Sequence, residues 1–262
     1  DTSADTDGHV LINIDTQVTT LRKSFVAILN HNMESADAKF RISASNTESD
    51  IQAVDMGSAT AISCTEVVNA DAISTNIITP GTDGSTIVKF TEDSKRYWGI
   101  QFEGDSSNTF GGTDLFVGCI LIGEFYEMVH SSDLNVKRSI IFDKVKTQES
   151  AGGQRYANAT SLGRSKSATT LSPFTVGTNI GSVYGGRLAY DLNFSFLNST
   201  DLMPNEYHSA QNTDDAVVVD IWNVTNGPHL PFIFSIDKDS EGTGAESEHI
   251  FARFGQDSMD MT

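Results

Sequence analysis

The residues with the best claim to chemistry lie in an acidic loop, Asp237-Lys-Asp239-Ser-Glu241-Gly242, with Glu248 six positions further on. Oxygen donors at positions one, three, five and twelve, with glycine at six, match the spacing of a calcium loop. Hard carboxylate oxygens at alternate positions could wrap one cation while the glycine allows the sharp turn. Against that stand Glu241 where Asp or Asn is usual, Gly244 where an apolar residue is usual, and strand-like flanks. A solvated hairpin tip is therefore the expectation, with no cofactor bound and no metal site assigned. The histidines His9, His31, His130, His208, His229 and His249 show no H-x-x-x-H or H-E-x-x-H pair of the kind a catalytic zinc needs. No serine occupies a G-x-S-x-G elbow, and neither a P-loop nor a G-x-G-x-x-G is present. Glu124 and Glu127 would point to opposite faces of an extended strand, which does not suit paired acid–base work. The expectation is a protein that is not an enzyme and has no catalytic residues.

Charge is more informative than any motif. The 262-residue chain carries a formal net charge of −18, which opposes general binding of nucleic acid. Between Lys137 and Arg187, however, eight basic residues stand against two acidic ones, whereas from Asn198 onward twelve acidic residues stand against two basic ones. A basic arm on one copy could meet the acidic part of the next, and head-to-tail contacts of that kind close into rings. The arm's candidate interface residues are Lys144, Lys146, Arg155, Arg164 and Lys166.

The elements that would position these residues read as β. Leu115–Glu124 is the most continuously apolar run in the chain, and it predicts a fully buried strand at the centre of a packed sheet. Its Cys119 is expected to be a core thiol, and with Cys64 as the other cysteine there is no disulfide framework. Ser24–Leu29 is a second core strand, and it leads into a loop at Asn30-His31-Asn32. Lys39–Ser45 alternates, with Phe40, Ile42 and Ala44 on one side and Lys39, Arg41, Ser43 and Ser45 on the other, as a half-buried strand should. Arg96–Glu103 and Arg138–Phe142 add further strands. In Gly186–Leu197 alternation resumes, with Leu188, Tyr190, Leu192, Phe194 and Phe196 on a shared face. Ser199-Thr200-Asp201 predicts a helix start, Asp214–Asn226 leans to helix, and Leu230–Ile236 with His249–Phe254 predict a hairpin. No segment approaches the roughly 20 apolar residues that span a bilayer, and no signal-peptide pattern is visible, so no membrane insertion is expected.

In the first half, Ser24–Leu29, Asn30-His31-Asn32 and Lys39–Ser45, followed by Arg96–Phe102 and Leu115–Gly123, resemble the opening and closing strands of discoidin-like, galactose-binding-type β-sandwiches. Such a sandwich joined to segments like Arg138–Tyr156 and Leu230–Asp237 is similar to structural proteins of tailed bacteriophages, in tails, baseplates and fibres. The resemblance covers Val10–Met128 well and the remainder loosely.

The resemblance implies a mostly β protein whose loops bind glycans or neighbouring subunits. A mobile lead-in over 1–9 is expected, then an antiparallel, jelly-roll, discoidin-like sandwich over 10–136 and a basic linker or arm over 137–185. A second β-rich domain with one or two short helices follows over 186–262. The implied function is that of an oligomeric virion structural protein of tail or baseplate, assembled in the bacterial host cytoplasm. Its partners would be copies of itself and other virion proteins. The alternatives are a carbohydrate-binding module for a host glycan, with Phe110 as the visible stacking candidate, and a head decoration or fibre protein.

Overall fold

The computed structural model of the chain describes residues 9–51, 60–74, 76–104, 110, 113–141, 145–159, 187–203, 216–237, 239, 241–242 and 244–258. The predicted lead-in thus falls almost wholly outside the described residues. The chain is mostly β, built from antiparallel sheets, as the patterning predicts. It divides into two compact units.

The first unit reaches Phe125 and takes in Ile233–Phe251, a segment read from sequence as part of the second domain. One of its sheets has the order β1 (His9–Asp15), β8 (Tyr97–Glu103), β3 (Lys39–Ser45), β6 (Ile77–Thr79), β5 (Ala72–Ser74). The other has the order β4 (Cys64–Val68), β7 (Gly84–Asp93), β2 (Lys23–His31), β9 (Val117–Gly123). Phe40, Ile42, Trp98, Ile100 and Phe102 from the five-stranded sheet share a core with Val26, Ile28, Val67, Val88 and Phe90 from the four-stranded one. Sheets that bury one face against each other in this way form a β-sandwich. The Trp98 ring lies 5.6 Å from that of Phe90, and its indole N–H donates to the Lys95 carbonyl at 2.8 Å.

The four-stranded sheet is covered on its second face as well. Ala27, Leu29, Val68 and Ile87 point there, and Ile233, Ala245 and Phe251 pack against them. A strand covered on both faces has no reason to alternate, which accounts for the unbroken apolar run in β2. The same reasoning corrects the expectation for Leu115–Glu124. In β9, Ile120 and Ile122 face the sandwich interior while Cys119 and Leu121 face the other way, yet β9 is an edge strand and is only half-buried. Continuous apolarity reports two covered faces, not a central position. Gly118 and Gly123 let β9 approach β2. A Cβ on Gly118 would sit 3.1 Å from the Leu29 carbonyl oxygen, and one on Gly123 would sit 2.9 Å from the Phe25 ring.

β3 also departs from its reading. It is buried along nearly its whole length, not half-buried. Arg41 is 1% exposed and donates to Gln101 Oε1 at 2.8 Å. On the same sheet, Gly99 lies against Ile51 of a short helix, α1 (Glu48–Ile51), so that the outer face is covered there as well. Cys64 and Cys119 are both free. They lie on opposite edges of the four-stranded sheet and pack against its opposite faces, so they cannot pair.

The second unit holds a ribbon of β10 (Lys137–Ile141) with β13 (Arg187–Asp191), and a hairpin of β11 (Val145–Glu149) with β12 (Arg155–Ala159). The strand expected over Gly186–Leu197 ends at Asp191, and Phe196 is exposed instead of sharing a buried face. A short helix, α2 (Ser199–Leu202), starts where predicted, with the Asn198 amide donating to Asp201 Oδ2 at 2.8 Å. Within Asp214–Asn226, Val217–Asn223 is helical with π geometry. Asp220 Oδ2 accepts from the Ala216 amide at its start, and Thr225 Oγ1 donates to the Ile221 carbonyl at its end. Gly227, at φ +60°, turns the chain beneath the Trp222 ring. The predicted C-terminal hairpin is present as β14 (Phe232–Ser235) with β15 (His249–Ala252), nearly all of it in the first unit. Among the described residues, no helix is long and apolar enough to cross a membrane.

Candidate functional site

The hairpin β11–β12 is the described part of the basic arm. Its turn closes with the Ser150 amide on the Gln154 carbonyl at 2.8 Å, while the Gln154 amide donates to Ser150 Oγ at 3.1 Å. Gly153, at φ +80°, takes the left-handed position that a side chain would strain. The register places Glu149 across from Arg155 and Gln148 across from Tyr156. Strand alternation puts Lys146 and Gln148 on one face, with Tyr156 opposite Gln148 on the partner strand. These three residues and Ala157 line a shallow hollow of about 150 Å³. Tyr156 is 58% exposed, and its hydroxyl donates to Gln154 Oε1 at 3.3 Å.

No other described strand or helix packs substantially on this hairpin, and its described side chains from Lys146 to Ala157 are all exposed. An isolated two-stranded hairpin is of marginal stability in water, because it has no third element on which to bury a face. Of the five interface candidates, Lys146 and Arg155 are on this hairpin, whereas Lys144, Arg164 and Lys166 lie outside the described residues. Further basic groups stand on the ribbon, where Lys137 is 3.4 Å from Asp191 and Arg138 lies over the Tyr190 ring at 5.8 Å.

The acidic loop is put to a structural use. Gly242, at φ +80°, donates to the Val67 carbonyl at 3.1 Å and accepts from the Asn69 amide at 2.7 Å, docking the loop on the edge of β4. Asp237 Oδ1 is turned onto the Asp239 amide at 3.1 Å. Glu246, which the spacing does not single out, is buried at 4% exposure, whereas Glu241 and Glu248 are exposed. Among the described residues, no three His, Cys, Asp or Glu side chains gather as a metal site would require.

The docked loop joins a buried polar network that the sequence does not announce. Asn69 is fully buried, at a left-handed φ of +64°, which an asparagine tolerates better than most residues. Its Nδ2 donates to the carbonyls of Thr82 and Ser85, both at 3.0 Å, and its Oδ1 accepts from the Thr82 amide and hydroxyl, both at 3.0 Å. Thr86 Oγ1 joins Asn69 to His31, whose Nε2 lies 2.9 Å away. His31 Nδ1 accepts from the Met33 amide at 3.3 Å, which fixes a neutral ring with its proton on Nε2. Burial pushes the His31 pKa down to about 4, against the opposing pull of Asp83. His249 is also held below the usual range, first by burial.

Asn32 completes this region. It accepts from the Phe116 amide at 2.6 Å and donates to the Asp114 carbonyl at 2.8 Å, pinning the chain that enters β9. The triplet Asn30-His31-Asn32 is thus engaged with the sandwich. Phe110 packs on the sandwich core and is only partly exposed, whereas Tyr156 is among the exposed aromatic residues. No protein-family model, curated protein or solved structure matches the chain.

Proposed function

We propose that the chain is a structural component of a tailed-bacteriophage virion, of the tail or baseplate, acting through subunit contacts and not through catalysis. The observation that supports this best is the hairpin β11–β12: it is exposed, it carries Lys146 and Arg155 against the single acid Glu149, and no other described strand or helix packs substantially on it. A marginal element of that kind gains most from a partner, and an acidic surface on a second copy or a neighbouring protein is complementary to Lys146 and Arg155. The discoidin-like character of the sandwich belongs to the same proposal, as does its residence in the particle. Antibodies raised against the purified chain test it. Gold labelling of tails or baseplates in electron micrographs of phage particles is the expected result. Particles that carry no label, from a host that makes the protein, would contradict it.

A second reading has one observation in its favour. Tyr156, beside Lys146 and Gln148, offers an aromatic face with polar groups at its rim, an arrangement on which sugars stack. Binding to bacterial surface glycans that Tyr156→Ala abolishes would establish a host-recognition module. Binding unchanged in that variant would exclude Tyr156 as the surface on which the sugar stacks.

A further inference from the structure

The edge of β9 is unlike the edges that soluble proteins normally leave open. Exposed edge strands are blunted by charge, proline, a bulge or brevity, because their unpaired N–H and C=O groups template another strand. From Leu115 to Gly123 there is no charge and no proline, and the pairing with β2 runs without a register shift. Among the described residues, no strand pairs with the outer side of β9. On the opposite edge of the same sheet, β4 is covered by the bridge from Val68 to Gly242. Among the described residues, one edge is capped and the other has no strand on it.

We propose that the bare edge is an interface, on which β9 of a second copy pairs antiparallel about a two-fold axis at Ile120, joining two four-stranded sheets into one. Three observations select a second copy as the occupant. On a chain of net charge −18, the stretch Leu115–Gly123 carries no charge of its own to oppose a second acidic copy. The strand is self-complementary about Ile120: Gly118 would face the partner's Ile122, Cys119 the partner's Leu121, and Glu124 the uncharged Phe116 of the partner. Like charges are never opposed. Finally, Phe116 and Phe125, at 58% and 38% exposure, stand at the two ends of the strand, and this register brings each beside the partner's opposite end. The isologous contact is independent of the hairpin and of the virion proposal.

A charge pair at Phe116 tests both the interface and its register. The parent for the test carries Lys146→Glu and Arg155→Glu, so that the hairpin contributes no attraction. Sedimentation over a concentration series should show a monomer–dimer equilibrium. Phe116→Glu places a carboxylate across from the partner's Glu124, which shares Arg22 with Glu92 in a group that stays net negative, and should raise the dimer Kd about threefold, whereas Phe116→Lys should leave it equal or lower it. Phe116 is more than half exposed, so neither variant disturbs the core. Hydrogen exchange gives a second readout, with the amides of Val117–Gly123 gaining protection as the parent dimerises. A parent that stays monomeric throughout, or variants that shift Kd equally, would overturn the proposal.

Discussion

His31 ties the stability of the sandwich to pH. Its ring is neutral in the fold, with a pKa near 4, and protonates near 6.5 once unfolded. The unfolded chain therefore binds more protons through this window. The stabilisation is complete above about pH 6.5 and is lost as pH falls through 4. Between pH 7 and pH 5 this one group removes about 2 kcal/mol, and His249 acts in the same direction. Urea titrations should show that loss, and His31→Gln should flatten the slope while lowering stability at pH 7. An unchanged slope would contradict the neutral, buried ring. Asn69→Ala strands the Thr82 and Ser85 groups that Asn69 serves and should cost about 3 kcal/mol, read as a fall in the urea midpoint. These roles are only partly legible in the sequence. The histidine spacing shows that no zinc pair can be assembled from neighbours in sequence, but nothing local distinguishes a buried Asn69 from an exposed one. The burial of Arg41 escapes the sequence for a related reason: alternation shows which residues share a face, but not that a second layer covers the polar side.

At the scale of the element, β9 shows what apolar continuity does and does not report. The run is legible as a strand with two covered faces. Its place at the edge depends on pairing order, which is set by connections remote from the strand itself. Gly118 is sensitive to that pairing, because a side chain there meets the backbone of β2. Gly118→Val would drive a branched side chain against the Leu29 carbonyl and Asn30 and should cost about 1–3 kcal/mol. Tyr156→Ala, on the exposed hairpin, should fall within about 0.5 kcal/mol. Thermal melts of the two variants compare these directly, and a hairpin variant as damaging as the Gly118 one would mean that the hairpin is packed, not free. Of the segment read as helical, Asp214 and Asp215 lie outside the described residues, and Val217–Asn223 is helical in spite of its β-branched residues, with Asp220 and Thr225 bonding to the backbone near its two ends.

For the whole molecule, composition and charge carry the most. Turn-rich, helix-poor composition and short apolar runs make the antiparallel sandwich legible, and the uneven charge singles out the arm. The return of Ile233–Phe251 to the first unit is not legible, because it rests on packing between residues far apart in sequence, such as Phe251 against the cluster of Ala27, Leu29, Val68 and Ile87. Whether the exposed basic hairpin makes contacts between subunits is decided by the solution mass of the full chain, measured by light scattering at low and at high salt, alongside Lys146→Glu/Arg155→Glu. The expected result is an assembly larger than a dimer at low salt that falls to a dimer as salt screens the charges, and a double variant that is no larger than a dimer under either condition. A wild-type mass that neither salt nor the double variant changes would contradict assembly through the hairpin.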